Sequence, residues 1–241
     1  MIPDTFGAIS LSPRGVVTDL PLLDELLDPH REGLGIGYWG YRAHCYRMVN
    51  WARFVTEPEE FRDEKLAIAR LAASRLPHGP LTVGLTGGTT THAVARLLAE
   101  RYDLAVVTNA LNIAAELALR PRIRLVMTGG VSRTQSYELV GPIADRTLAG
   151  LNIEIAIVGV DGISARTGLT THDDIEANTN ATMIRQAERV IVVADGSKVG
   201  RVCLARICAL GDIDELITDA SADPTTLAAV TAAGVTVTVA G

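Results

Sequence analysis

Blocks of apolar residues recur along most of this chain and predict strands that alternate with helices. From residue 58 onward, runs such as Ile-Ala-Ile-Val-Gly-Val at 155–160 contain hardly any polar position. A strand that is apolar on both faces is typical of a parallel sheet covered by helices on both sides. Strands are predicted at residues 81–86, 104–108, 123–128, 153–160, 190–194, 215–218 and 235–239.

The segments between these runs carry apolar residues at helical spacing. Helices are predicted at residues 58–76, 110–119, 142–151, 175–187 and 225–233, with another around Val94, Leu97 and Leu98 and a loop at 168–174. Repeated strand–helix units with short turns predict an α/β fold, namely a doubly wound, mostly parallel, Rossmann-like sheet with helices on both faces.

The first 57 residues do not follow this pattern. They hold seven of the ten aromatic residues of the chain, which are Phe6, Tyr38, Trp39, Tyr41, Tyr46, Trp51 and Phe54. A short helix is predicted within residues 16–27, and the segment beyond it has no clear period. We therefore expect an irregular N-terminal segment, residues 1–57, followed by a ligand-binding α/β domain, residues 58–241.

Three arginines in the N-terminal segment, Arg42, Arg47 and Arg53, lie among these aromatics. Basic residues interleaved with aromatic residues can bind nucleic acid. A segment that packs poorly, or that forms an interface, accounts for the same composition, and we favour that interpretation.

Composition excludes several classes of protein. Hydrophobic residues make up 48% of the chain, which suffices for a substantial core, and the net charge of −6 gives no overall basic surface for nucleic acid. No apolar run approaches the ~20 residues of a membrane span, and the N-terminus does not resemble a signal peptide. Cys45, Cys203 and Cys208 form no CxxC pair. These features predict a cytoplasmic protein without a membrane partner.

Small and polar residues follow the predicted strands, where a parallel sheet binds its ligands. Because these strand ends meet at one edge of the sheet, their side chains should converge. The candidate ligand-binding residues from this comparison are Gly87, Gly88, Thr89, Thr90, Thr91, Asn109, Gly129, Gly130, Arg133, Asp161 and Lys198.

Residues 87–91, here called the glycine–threonine loop, have a direct physical interpretation. Glycine lets the backbone approach a ligand closely, and the helix that follows offers free N–H groups and a partial positive charge. Threonine hydroxyls add donors for phosphate oxygens. The loop is neither a Walker A motif nor GxGxxG, which weakens a nucleotide assignment. An ordinary tight turn is the alternative, although three successive threonines favour an anionic ligand.

Charged residues near the other strand ends allow two interpretations each. Lys198 could direct a point charge at a phosphate or could simply be a solvated turn residue. Asp161 follows an apolar strand and therefore needs partners. The group His172, Asp173, Asp174 and Glu176 could suggest a metal, but adjacent acids are favourable at a helix N-terminus and no second set of ligands is evident. We expect no metal and no cofactor.

Taken in order, these motifs resemble the C-terminal effector domain of DeoR-type transcriptional regulators. Gly-Thr-Thr-Thr at 88–91, Val-Asp-Gly-Ile at 160–163 and Ala-Asp-Gly-Ser-Lys-Val-Gly at 194–200 carry much of the resemblance, which covers residues 58–220. It implies a sugar-phosphate isomerase-like fold, a phosphorylated sugar as effector, operator DNA as partner and a homo-oligomer, either dimer or tetramer. The residues it implies at the site are Gly88, Thr89, Thr90, Asn109, Gly130, Asp161, Glu176 and Lys198.

Two departures from related families bear on function. The family begins with a winged helix-turn-helix, and residues 1–57 lack its recognition-helix pattern, so operator DNA is expected only if this segment is competent. In a comparison with ribose-phosphate isomerases, the catalytic glutamate position falls at Asn180, and an amide cannot act as a base. We expect a sensor and not an enzyme; a sugar-phosphate isomerase using Glu176 is the alternative.

Overall fold

The computed structural model describes residues 10–11, 17–19 and 62–241, and the chain divides into two units, residues 1–60 and 61–241. In the first unit, strand β1 (Ser10–Leu11) pairs antiparallel with β2 (Val17–Asp19). The predicted helix within residues 16–27 is therefore wrong at Val17–Asp19, where a β-branched pair favours extended backbone. The aromatic and arginine-rich segment of residues 33–54 lies outside the described residues.

The second unit contains the predicted alternation of helices and strands. In chain order the principal elements are α1 (Arg62–Ser74), β3 (Leu81–Leu85), α2 (Thr89–Leu98), β4 (Leu104–Thr108), α3 (Leu111–Leu117), β5 (Ile123–Met127), β6 (Val131–Arg133), β7 (Glu138–Val140), α4 (Pro142–Ala149), β8 (Ile153–Gly159), β9 (Gly162–Ser164), β10 (Gly168–Thr171), α5 (Asp174–Arg185), β11 (Ala187–Val193), β12 (Ala205–Cys208), β13 (Glu215–Asp219), α6 (Pro224–Ala232) and β14 (Thr236–Ala240). The start predicted for α1 at Pro58 falls outside the described residues.

Within the described part of the chain, seven parallel strands form the central sheet in the order β14-β13-β11-β8-β3-β4-β5. All seven were predicted from the apolar runs, so the α/β fold class is confirmed. The chain moves outward in one direction from β3 through β5 and then returns to the other side of β3 with β8. The boundary between β3 and β8 is therefore the topological switch point of the sheet.

Each face of the sheet has its own apolar core. Ile68 of α1, Val94 of α2 and Ile113 of α3 are fully buried in one cluster, whereas Leu148 of α4 and Met183 of α5 are fully buried in the other. Successive residues of a strand point to opposite faces, so each continuous apolar run supplies both clusters at once. This arrangement is the reason that the strands contain almost no polar positions.

Two small antiparallel sheets were not predicted. Strands β12, β10 and β9 form one, and β6 and β7 form the other, which we call the β6–β7 hairpin. The predicted loop at residues 168–174 is wrong over Gly168–Thr171, because Leu169 and Thr170 pair with β9 on one side and β12 on the other. Strands of three or four residues are too short to show a period in the sequence.

No helix in the described part of the chain is both long and apolar enough to cross a membrane.

Candidate functional site

The carboxyl ends of β3 and β8 lie in close contact at the switch point. The Gly159 amide donates a hydrogen bond to Thr86 Oγ1 at 3.0 Å, and the Thr86 amide donates to the Ile157 carbonyl at 3.3 Å. A Cβ at Gly159 would lie 2.7 Å from the Gly87 carbonyl oxygen, which is closer than real Cβ contacts permit. Glycine at this position therefore lets the two strand ends stay together beneath the crevice.

The glycine–threonine loop leads from β3 into α2 at the same place. Gly88, the N-cap residue, has a φ of 117°, which glycine adopts without strain, and no side chain caps the helix. Thr89 is exposed, and Thr90 and Thr91 are buried. The Thr91 hydroxyl donates to the Gly88 carbonyl at 2.8 Å, so it shapes the loop. The first N–H groups of α2 thus have no side-chain cap.

A glutamate that the sequence did not single out, Glu138 of β7, covers the first residue of this loop. The Gly87 amide donates to Glu138 Oε1 at 2.7 Å, and Asn109 Nδ2 donates to the same oxygen at 3.2 Å. A Cβ at Gly87 would lie 2.5 Å from Glu138 Cγ. Tyr137, immediately before Glu138, has a φ of 58°, a sparsely populated value for a bulky residue. The hairpin therefore holds the carboxyl group against the loop.

Burial decides the charge of Glu138, which is 2% exposed. Desolvation, together with the neighbouring Glu176 as a like charge and as a hydrogen-bond acceptor, raises the pKa of Glu138 from 4.5 to about 8. The Gly87 amide and Asn109 act in the opposite direction, because they favour the ionised form. At neutral pH this glutamate is therefore mostly a neutral acid.

Glu176 lies at the centre of the polar residues, in the first turn of α5, and is 5% exposed. Arg133 Nη1 donates to Glu176 Oε2 at 3.0 Å, and the Thr171 hydroxyl donates to Glu176 Oε1 at 2.5 Å. The same hydroxyl oxygen lies 2.9 Å from Asp161 Oδ2, and Lys198 Nζ lies 3.7 Å from Asp161 Oδ1. A continuous polar chain thus runs from Lys198 to Arg133.

Backbone geometry shapes the remaining side of the site. Gly130 has a φ of 126°, and a Cβ there would lie 2.8 Å from the Val140 carbonyl oxygen. Only glycine therefore allows the close approach of residue 130 to the end of β7. Gly129 precedes it in the turn after β5. Lys198 belongs to a short 3-10 helix that begins at Gly196, which Asp195 caps by accepting from the Ser197 amide at 3.1 Å.

Asp173, one of the acidic residues considered as metal ligands, has another role. Asp173 caps α5 by accepting from the Ile175 and Glu176 amides at 3.1 and 2.9 Å, and Arg133 Nε lies 3.1 Å from its Oδ2. The Glu176 amide and Arg133 lower the pKa of Asp173. Among the described residues, no three histidine, cysteine or acidic side chains are grouped as metal ligands.

The structure brings most of the predicted residues to one edge of the sheet. Asn109 is fully buried, bonds to Glu138 and also donates to Asn180 Oδ1 at 3.4 Å. Sequence reasoning missed Glu138 and Thr171. Thr171 lies in β10, within the segment that was expected to be a loop, and Glu138 lies in β7, a strand too short to show a period.

Comparison with known proteins identifies the family. The model of the DeoR C-terminal sensor domain matches residues 60–220 of this chain. The chain belongs to the DeoR family. The resemblance inferred from the sequence motifs is thereby confirmed, and the polar residues at the switch point lie within the matched sensor domain.

Curated DeoR-family relatives are similar over much of the chain. The glycerol-3-phosphate regulon repressor of Escherichia coli K12 is 30% identical over 214 residues, covering 88% of this chain and 81% of that protein. The regulator GlpR of Haloferax volcanii is 35% identical over 173 residues, covering 72% and 67%. A regulator from Escherichia coli O157:H7 named for the aga operon is 35% identical, and the chain spans 65% of its length.

Solved structures are similar to this chain at low sequence identity. A point mutant of RipA superposes with a TM-score of 0.51 and 15% identity, covering 73% of this chain and 53% of that one. Ribose 5-phosphate isomerase A from Methanocaldococcus jannaschii gives a TM-score of 0.43 and 19% identity, covering 60% and 56%. The RipA likeness concerns the fold alone.

Proposed function

We propose that this DeoR-family protein is a transcriptional regulator whose second unit senses a phosphorylated sugar or polyol. The observation that carries the proposal is the uncapped N-terminus of α2 at the switch point, where Gly88 leaves the first N–H groups free. Helix N-termini bind phosphate through these groups and through the helix dipole. The phosphate of the effector would occupy the glycine–threonine loop.

The other predicted residues suit the sugar end of such a ligand. Asp161 and Glu176 offer two carboxylates within the polar chain, which Lys198 extends with a positive charge, and Asn109 offers an amide that bonds to Glu138. Amides and carboxylates are the usual partners of sugar hydroxyls. The name of the Escherichia coli K12 relative refers to glycerol 3-phosphate, which supports a phosphorylated polyol as the class of effector.

Operator DNA is the proposed binding partner, on the condition that residues 1–57 are competent to bind it. The alignment with that relative spans 214 residues, more than the second unit contains, so part of it lies within residues 1–60. Arg42, Arg47 and Arg53 would supply phosphate contacts there. Retardation of the promoter fragment beside its own gene would support DNA binding, and loss of retardation in a triple Arg→Gln variant would locate it. We also propose a cytoplasmic homo-oligomer, dimer or tetramer.

Ligand-dependent stabilisation tests the sensing proposal. Ribose 5-phosphate, fructose 6-phosphate and glycerol 3-phosphate are each compared with their unphosphorylated parents. A ligand at about 100 times its Kd should stabilise the folded state by about 2.7 kcal/mol and raise Tm by roughly 5–10 °C. Equal shifts from each compound and its parent would contradict the phosphate assignment.

A second candidate is an aldose–ketose isomerase, favoured by the buried Glu138 and Glu176 carboxyl groups beside the proposed sugar site. Isomerisation needs a positioned base and acid with suitable pKa values. Against it, Asn180 occupies the position aligned with the isomerase base. Purified protein is expected to leave ribose 5-phosphate unconverted; conversion that Glu176→Gln abolishes would instead establish the enzyme.

A further inference from the structure

The carboxyl pair of Glu138 and Glu176 has a surplus of acceptors that the protein itself does not satisfy. Glu138 Oε1 accepts from the Gly87 amide and from Asn109, and the Glu138 carboxyl group is also within hydrogen-bond reach of Glu176. Both side chains are at least nine-tenths buried. Two buried carboxylates in contact repel each other unless one of them carries a proton.

Hydrogen-bond donors are also too few where Glu176 meets Thr171. The Thr171 hydroxyl has one hydrogen, yet its oxygen lies within hydrogen-bond distance of both Glu176 Oε1 and Asp161 Oδ2. One of these two carboxylate oxygens is therefore without that donor. Asn109 Oδ1 is also buried and has no partner. A ligand rich in hydroxyl groups would supply the missing hydrogens.

The charges around the site also favour a proton on the pair of Glu138 and Glu176. Glu138 meets the uncharged Gly87 amide from the β3–α2 turn and the Asn109 amide from the end of β4, and it meets the charged Glu176 from α5. Beyond Glu176, the carboxylates are Asp173 and Asp161 and the cations are Arg133 and Lys198. With every acid ionised, four carboxylates would face two cations, and a single proton on the pair lowers this net charge from −2 to −1. A phosphate dianion therefore meets less repulsion when the proton is present.

We propose that Glu138 and Glu176 share one proton and together form the hydroxyl-binding end of the effector site, adjoining the phosphate loop. Glu138 donates a hydrogen bond to Glu176, and the acceptor sites of Glu176 and Asp161 that the protein leaves unfilled accept hydrogen bonds from neighbouring hydroxyls of the ligand. This assignment rests on the proposed function, because it presupposes a phosphorylated polyol in the crevice. It makes Glu138 a specificity-determining residue and makes binding dependent on a proton.

Three variants of the full chain distinguish this role from a merely structural one. Glu138→Gln keeps an oxygen for the Gly87 amide and an N–H for Glu176, so it imitates the protonated acid without titrating. Glu138→Ala removes both contacts. Glu188→Gln changes an exposed glutamate at the opposite ends of the strands and serves as the control for the loss of an acid.

Calorimetric titration with ribose 5-phosphate, fructose 6-phosphate, glycerol 3-phosphate and inorganic phosphate gives the affinities. For wild-type protein and Glu188→Gln, sugar-phosphate affinity should fall about tenfold per pH unit above pH ~8. Glu138→Gln should bind within about threefold of wild type at neutral pH and show no such decline. Glu138→Ala should lose about 10- to 100-fold for sugar phosphates and little for inorganic phosphate.

Two results would overturn the assignment. One is a decline above pH ~8 that persists in Glu138→Gln, and the other is undiminished sugar-phosphate binding by folded Glu138→Ala. If Glu138→Ala does not fold, the pH profile of Glu138→Gln decides alone. Absence of binding by every phosphorylated probe would overturn the proposed effector class together with this inference, whereas binding without the pH and variant effects would overturn the inference only.

Discussion

The Gly87 amide nitrogen and Glu138 Oε1 are 2.7 Å apart, although 51 positions separate them in the chain. This bond joins the end of a central strand to a hairpin outside the central sheet. The space between them is so small that a Cβ at Gly87 would lie 2.5 Å from Glu138 Cγ. Glycine is thus required at position 87 because of the Glu138 carboxyl group, which is distant in sequence, as well as because of the turn.

Gly87→Ala should consequently displace the Glu138 side chain. Because Glu138 is buried and hydrogen-bonded, it cannot simply rotate away, and the substitution should destabilise the protein by about 1–3 kcal/mol. Urea denaturation measures this cost. Gly150→Ala is the control, since a Cβ there has an ordinary contact of 3.7 Å with the Thr147 carbonyl oxygen. Equal stability of the two variants would show that the contact is not restrictive.

Gly159→Ala tests the switch point itself. Its Cβ would lie 2.7 Å from the Gly87 carbonyl oxygen, a backbone atom that can move only if β3 and β8 separate. We expect a loss of about 1–3 kcal/mol in the free energy of unfolding and weaker binding of phosphorylated probes. Gly211→Ala, where a Cβ would meet nothing within 4 Å, should leave both quantities unchanged. Unchanged stability and unchanged probe affinity in Gly159→Ala would contradict the close contact.

Stability should depend on pH through Glu138. Its folded-state pKa of about 8 lies above the ordinary 4.5, so the folded protein keeps a proton that the unfolded chain has released between these values. Stability then falls as pH rises through this window, by up to about 1.4 kcal/mol per unit, and levels off above it. Glu138→Gln does not titrate, so its stability relative to wild type should increase from pH ~5 to pH ~8. Parallel stability curves would contradict the shift.

Lys198 should contribute to ligand affinity more than to folding. The ammonium group is partly exposed and 3.7 Å from Asp161, so Lys198→Gln should change stability by less than about 1 kcal/mol. Its affinity for phosphorylated probes should fall about tenfold through loss of a charged contact. Lys65→Gln removes the other lysine of the chain, within α1, and calorimetry should find its affinity unchanged. Equal losses of affinity in Lys198→Gln and Lys65→Gln would indicate that only the net charge of the protein affects binding.

A third buried glutamate serves the fold at the opposite ends of the strands. Glu215 accepts from Arg75 Nε at 2.9 Å, Arg189 Nη2 at 2.8 Å and Thr238 Oγ1 at 2.9 Å. Both arginines are partly exposed and can return to water. Glu215→Gln should therefore cost about 1–3 kcal/mol, as measured by denaturation, with ligand affinity preserved. A larger loss of affinity than of stability would oppose this purely structural role.

The sequence predicted those parts of the molecule that depend on local pattern. The seven central strands were recognisable because burial on both faces demands uninterrupted apolar residues, as at Ile191 and Val192. Asn109, Glu176 and Lys198 were found because each follows a strand or matches a family motif. These are properties of neighbouring residues.

Glu138 could not be found in this way. Its segment, Ser-Tyr-Glu-Leu-Val, is short and has no period, and the charge of the glutamate depends on burial by residues that are distant in sequence. The sequence showed that Glu176 was a candidate but not that it had a partner. Non-local pairs of this kind are determined by topology, which brings the β6–β7 hairpin over the ends of β3 and β4.

The β6–β7 hairpin is attached to the domain mainly by polar contacts. Val131 is 69% exposed, so β6 gains little from hydrophobic burial, whereas Arg133 and Glu138 bond to α5 and to the β3 turn. The strength of such contacts depends on protonation and on competing ligand groups, unlike that of the apolar layers beneath. Under the proposed function, a ligand that competes for Arg133 or Glu176 would change the free energy that holds the hairpin in place. Ligand binding could then shift the β6–β7 hairpin without any rearrangement of the apolar core.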